Sequence, residues 1–147
     1  MGEVEQVFLG EYQHAIDDKG RLTIPARFRK PLLEGLVITR GLDRNLVIYP
    51  LDEWEKLVER IGRLPYGDPK ARNLRRLVFA GAGNADPDKQ GRVNIPSYLL
   101  EYGDITKEVV VAGVNAYIEL WSPERWESVR RGLESEENIS HWARLDL

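Results

Sequence analysis

Apolar residues come in short β-favouring runs along much of the chain and at helical spacing elsewhere. Val7-Phe8-Leu9-Gly10-Glu11-Tyr12 and the stretch from Arg21 to Ile24 flank an Asp-Lys-Gly turn and predict a β-hairpin. Leu36-Val37-Ile38-Thr39 and Leu46-Val47-Ile48-Tyr49 flank Gly41-Leu42-Asp43-Arg44-Asn45 and predict a second one. After Pro50, apolar residues at Leu51, Trp54, Leu57, Val58 and Ile61 predict an amphipathic helix. Asp68-Pro69 reads as an N-cap and a first-turn proline, opening a connecting helix whose apolar stripe is Ala71, Leu74, Leu77 and Val78. Ser122-Pro123 opens another, on which Trp126, Val129 and Leu133 keep the spacing.

The pattern is written twice. Asp17-Asp18-Lys19-Gly20-Arg21 returns as Asp88-Lys89-Gln90-Gly91-Arg92, and Ile24-Pro25 returns as Ile95-Pro96. Further on, Val109-Val110-Val111-Ala112-Gly113 matches the run from Val37 to Gly41, and Trp126 matches Trp54. Two copies are too few for a solenoid, so a pseudo-two-fold pair sharing one core is the expected architecture. The expected division is 1–67 for the first repeat, 68–78 for the connecting helix and 79–147 for the second repeat with a C-terminal helix and tail. Within the first copy, Pro25 suits a helix start while Pro31 turns Lys30 away from helical geometry, which leaves Arg27 and Arg29 on a very short element.

Composition narrows the function. The 147 residues are 42% hydrophobic and 31% charged, a globular balance, and the mean hydropathy is -0.43. No membrane-length apolar run occurs, and the N-terminal Met-Gly-Glu-Val-Glu-Gln is acidic where a secretion signal is basic, so a cytosolic protein is expected. Cysteine is absent, and His14 and His141 are far apart, which makes a poor zinc site; no metal or cofactor is expected. A search for a nucleophile with its base, or for a phosphate loop, finds nothing. Gly81-Ala82-Gly83 lacks both the Walker lysine and the complete dinucleotide fingerprint, so an enzyme with a small-molecule substrate is not expected. A formal net charge of -3 argues against coating nucleic acid non-specifically but allows a local basic patch.

That patch is sought at the repeated turns. A glycine-enabled turn places Arg21 and Arg92 at hairpin shoulders, where a guanidinium fork can meet phosphate or guanine, while Lys19 and Lys89 supply point charges to the backbone. Arg27 and Arg29 widen the patch in the first copy only. The bland alternative is that Asp17 pairs with Arg21, and Asp88 with Arg92, merely to close each turn. Both roles can coexist if the aspartate orients an arginine that also touches DNA. Arg72, Arg75 and Arg76 on the connecting helix form a basic side best read as solvated, and Trp54, Trp121, Trp126 and Tyr49 are read as core rather than as a stacking platform.

The duplicated Asp-x-x-x-Arg signature, with Gly-Arg-Leu-Thr-Ile-Pro-Ala-Arg-Phe-Arg after Lys19, Leu46-Val47-Ile48-Tyr49-Pro50-Leu51-x-x-Trp54, and Ile118-Glu119-Leu120-Trp121, resembles the bacterial MraZ family over nearly the whole chain. The resemblance implies a mainly β fold with helices (α+β), a SpoVT/AbrB-like double-split β-barrel formed by two internal repeats with pseudo-two-fold symmetry. It further implies a transcriptional regulator that binds double-stranded DNA at short promoter direct repeats of the division and cell-wall gene cluster. Assembly into a homo-oligomeric ring and association with the nucleoid are implied as well. The carry-over is most direct for Lys19 and Arg21. It is weaker for Arg92, because Gln90, Tyr98 and Leu100 stand where the first copy has Lys19, Arg27 and Arg29. The remaining alternatives are a DNA-free oligomeric scaffold or partner-binding protein on the same fold, and an enzyme of unrecognised type.

Overall fold

The computed structural model describes residues 8–146; the acidic start of the chain, Val7 of the first expected strand and Leu147 of the tail lie outside the described residues. The first half contains β1 (Phe8–Ala15), β2 (Arg21–Thr23), two 3-10 turns (Ala26–Phe28 and Lys30–Leu32), β3 (Leu36–Arg40), β4 (Leu46–Pro50) and α1 (Leu51–Gly62). Helix α2 (Pro69–Ala80) connects it to β5 (Gly83–Ala85), β6 (Arg92–Asn94), α3 (Ser97–Tyr102), β7 (Glu108–Asn115), β8 (Tyr117–Trp121), α4 (Pro123–Leu133) and α5 (Glu136–Trp142).

A six-stranded antiparallel sheet runs in the order β1-β7-β8-β4-β3-β5, and β2 pairs with β6 in a separate two-stranded ribbon. The order is a palindrome of the repeats. β4 lies beside its own equivalent β8 at the centre, with Val47 opposite Glu119, and each repeat sends its first strand to the outer edge of the other repeat's hairpin. In the ribbon, Leu22 faces its equivalent Val93. The pseudo-two-fold axis therefore passes through the Val47·Glu119 and Leu22·Val93 pairs. This is the double-split barrel with mainly antiparallel sheet and peripheral helices.

The expected first hairpin does not form. A tight turn does join β1 to β2, but only an Ile16·Leu22 bridge links the two arms before they part. β1 instead pairs along its whole length with β7, from Phe8·Asn115 to Ala15·Glu108, while β2 joins β6. A lone two-stranded hairpin leaves one apolar face bare. Splitting its arms buries Phe8, Leu22 and Ile24 of the first repeat with Val93, Ile95 and Leu99 of the second in one core. The hairpin β3·β4 forms as its hydrophobic runs predict, and β7·β8 repeats it in the second copy.

Helical details follow the caps. Asp68 accepts a hydrogen bond from the Lys70 N–H at 2.9 Å at the start of α2, and Trp54 on α1 packs against Tyr49 and, edge-on, against Phe79. The element after Ile-Pro differs between copies: two 3-10 turns in the first, a six-residue α-helix in the second. Pro31 has no N–H to donate and restricts Lys30, whereas Tyr102 at the equivalent place continues the helix. The acidic stretch after Leu133 is exposed and opens a further short helix. Ser135 caps α5 by accepting from the Asn138 N–H at 3.2 Å, and Glu136 and Glu137 suit its positive N-terminal end.

Candidate nucleic-acid interface

The two repeated turns have the same construction. Asp17 N–H donates to the Arg21 carbonyl at 3.0 Å and Gly20 N–H to the Asp17 carbonyl at 3.0 Å; the corresponding bonds at Asp88, Arg92 and Gly91 are both 2.9 Å. Gly20 and Gly91 have φ of +79° and +78°, a left-handed geometry that costs other residues about 1–2 kcal/mol. Inside each turn one carboxylate does three jobs. Asp17 Oδ1 accepts from the backbone N–H groups of Lys19 and Arg21, while Oδ2 accepts from Arg21 Nε at 2.7 Å. Asp88 repeats the arrangement with Gln90 and Arg92. The Arg21 N–H does most to hold the Asp17 carboxyl below its ordinary range, the Arg21 side chain and Lys19 N–H add to this, and partial desolvation opposes it. Asp88 is lowered in the same way, first by the Arg92 backbone and then by its side chain.

The ribbon turns these two arginines to one side. Leu22 and Val93 are buried, so the alternation of a strand sends Arg21, Thr23, Arg92 and Asn94 to the opposite, outer face. Arg21 stands across from Asn94 and Thr23 across from Arg92, which leaves the arginines diagonal to each other, about 7–8 Å apart at the backbone. Further bonds lock the repeats together here, from Ile24 N–H to the Gly91 carbonyl and from Ile95 N–H to the Gly20 carbonyl, each 2.8 Å. Because Nε is engaged by aspartate, Nη1 and Nη2 of each arginine remain without a partner among the described residues. The aspartate thus fixes the base of the fork and leaves its tip able to donate to an acceptor outside the chain.

The family model described as MraZ protein matches residues 7–77 and again residues 78–147. The chain belongs to the MraZ family. It is similar to the transcriptional regulator MraZ of Herpetosiphon aurantiacus, 55% identical over 84% of this chain and 86% of that protein. It is also similar to those of Roseiflexus castenholzii, 47% over 90% and 93%, and Thermomicrobium roseum, 50% over 82% and 84%.

The other expected site residues fall in different places on the two MraZ repeats. Lys19 and Lys89 are exposed on the turns that flank the ribbon, but at different positions: Asp18 precedes Lys19, whereas Lys89 occupies the place of Asp18 and Gln90 that of Lys19. The second MraZ turn is therefore less acidic than the first, a contrast visible only when the turns are aligned residue by residue. Arg27 is exposed and reaches Tyr12 Oη on β1 at 3.4 Å, away from the ribbon's own strands. Arg29 is half-buried. Its Nε donates to the Ile24 carbonyl at 2.8 Å and its guanidinium lies against Gly91, so it braces the second turn from beneath. On α2, Arg72 and Arg75 donate to carbonyls of Tyr66, Ile61 and Leu64 and so fasten the linker, and Arg76 bonds Asn73. Trp121 is buried with Trp126 tilted against it, as a packing role requires. Among the described residues no cluster of three or more histidine and carboxylate side chains could hold a metal ion, and no helix is long and apolar enough to cross a membrane. Thr23 and Asn94, which share the outer face with the arginines, escape a search for basic residues; the strand alternation around Leu22 and Val93 was the signal for them.

Proposed function

We propose that the chain is a sequence-specific DNA-binding transcriptional regulator whose β2·β6 ribbon enters the major groove. The observation that carries this reading is the pairing of Arg21 and Arg92 on one outward face, each held by its aspartate with free terminal nitrogens. The B-DNA major groove admits a two-stranded ribbon, and an arginine fork matches guanine O6 and N7. Lys19 and Lys89 on the flanking turns meet the phosphates and set position, and Arg27 extends the charge on the side of the first repeat. Relatives that carry the name transcriptional regulator support the same reading.

The target is short direct repeats in the promoter of the division and cell-wall gene cluster, read by a homo-oligomeric ring in the nucleoid-bearing cytoplasm. A ring reconciles a net charge of -3 with DNA binding, because several small basic patches on one particle gain avidity on a repeated site. Footprinting of purified protein on its own genomic DNA tests the proposal. Protection at regularly spaced direct repeats upstream of that cluster is expected. A protein that protects no site at all would be a DNA-free scaffold instead.

A further inference from the structure

The ribbon's two halves are alike in their arginines and unlike in the residue beside each. Arg21 and Arg92 are equivalent under the pseudo-two-fold axis, and so are Thr23 and Asn94. Four side chains make up the outer face, and the Thr23/Asn94 difference is the only one among them. A ribbon with two identical arginines alone would read a two-fold symmetric target, since each would ask the same of opposite DNA strands. The asymmetry needed to recognise a directional element has to come from the other pair or from the flanks. The flanking differences, Lys19 against Gln90 and Asp18 against Lys89, lie on turn tips suited to phosphates, which carry no base information.

Resting on the DNA-binding reading above, we propose that Asn94 is a base-reading residue. Its amide takes an adenine through N6 and N7, next to a guanine held by Arg21, and its mismatch with Thr23 gives the barrel a single orientation on DNA. Asn94 is exposed, its side chain has no hydrogen-bond partner among the described residues, and its Oδ1 lies over Gly20 at the foot of Arg21. Carbonyl and NH₂ together match the acceptor and donor that adenine presents in the major groove. Directly opposed strand residues are roughly 4.5–5.5 Å apart, and bases along a strand rise about 3.4 Å, so Arg21 and Asn94 reach neighbouring bases. Thr23, half-exposed and also without a side-chain partner among the described residues, offers a methyl and a hydroxyl in the equivalent place beside Arg92, which suits a thymine methyl rather than the adenine pattern.

The test is duplex selection from a randomised library with full-length protein, followed by affinity measurement, for wild type, Asn94→Ala and Thr23→Asn. Wild type is expected to select an asymmetric motif with an adenine adjacent to a guanine. Asn94→Ala should lose the preference at that adenine alone and bind the wild-type motif about tenfold more weakly, with an unchanged salt slope because no charge is removed. Thr23→Asn makes the two halves of the face identical and should select a palindrome. A palindrome from wild type, an unchanged motif from Asn94→Ala, or a persistently asymmetric one from Thr23→Asn would overturn the assignment while leaving DNA binding intact. Failure of wild type to enrich any duplex would remove the DNA-binding reading and this assignment with it.

Discussion

Asp17 shows how one carboxylate can close a turn and hold a neighbouring side chain at once. The carboxylate closes the turn through Oδ1 and aims the guanidinium through Oδ2. Asp17→Asn keeps the Oδ1 acceptor and removes the charge that anchors Nε. The expected outcome is a folded protein whose thermal midpoint barely moves, as for exposed ion pairs generally, with DNA affinity reduced several-fold because the fork is no longer held; parallel melting and binding titrations check this. The same carboxyl has a pH signature. Its folded value lies below the ordinary 3.8, so the turn's contribution is fully present above 3.8 and is lost as pH falls through the lowered value. Exchange-protected Lys19 and Arg21 amides should therefore persist below pH 3.8. At this scale the sequence is informative, because an acid four residues before an arginine, with glycine between, specifies the turn and its ion pair locally. The share of each role was not legible: Arg29 looks as basic as Arg21, and only its bond to the Ile24 carbonyl and its seat against Gly91 reveal a brace.

Elements were legible as to type and less so as to partner. Apolar β-favouring runs and turn residues identify β3, β4, β7 and β8, and apolar stripes identify α1, α2 and α4, the last two behind the caps Asp68 and Ser122. The arms of the first turn read equally well as strands, yet nothing local says that β1 belongs with β7 and β2 with β6. Hydrophobic alternation specifies which face of a strand is buried, while pairing is chosen by what completes the core. Phe8 and Leu22 are both fully buried, which a simple hairpin with a solvated face would not achieve. The short helix α5 is not legible in the sequence for a different reason. Its seven residues are too few to show a period, and its cap signal, Ser135 followed by two glutamates, lies inside a stretch whose acidity reads as exposed.

Over the whole molecule, duplication has become exchange. The repeat in the sequence announces two equivalent units, but β1 completes the second hairpin and β5 the first, and the ribbon takes one strand from each. Residues 1–67 alone would lack the partners of β1 and β2 and the covering of β3's outer edge. We expect that fragment to show no cooperative thermal unfolding as a monomer; a sharp monomeric transition would mean that each repeat has a core of its own. The exchange also explains why the site lies where it does. A strand pair crossing the pseudo-axis sets Arg21 of one repeat diagonal to Arg92 of the other, so the face proposed to meet DNA depends on the same swap that holds the fold together. That paired-arginine face is tested most directly by titrating the affinity of wild type and Arg21→Ala for a footprinted duplex across a salt series. The variant should keep its melting point and assembly, bind more weakly by about 1–3 kcal/mol, and show a salt dependence shallower by roughly one; an affinity and slope equal to wild type would contradict the assignment.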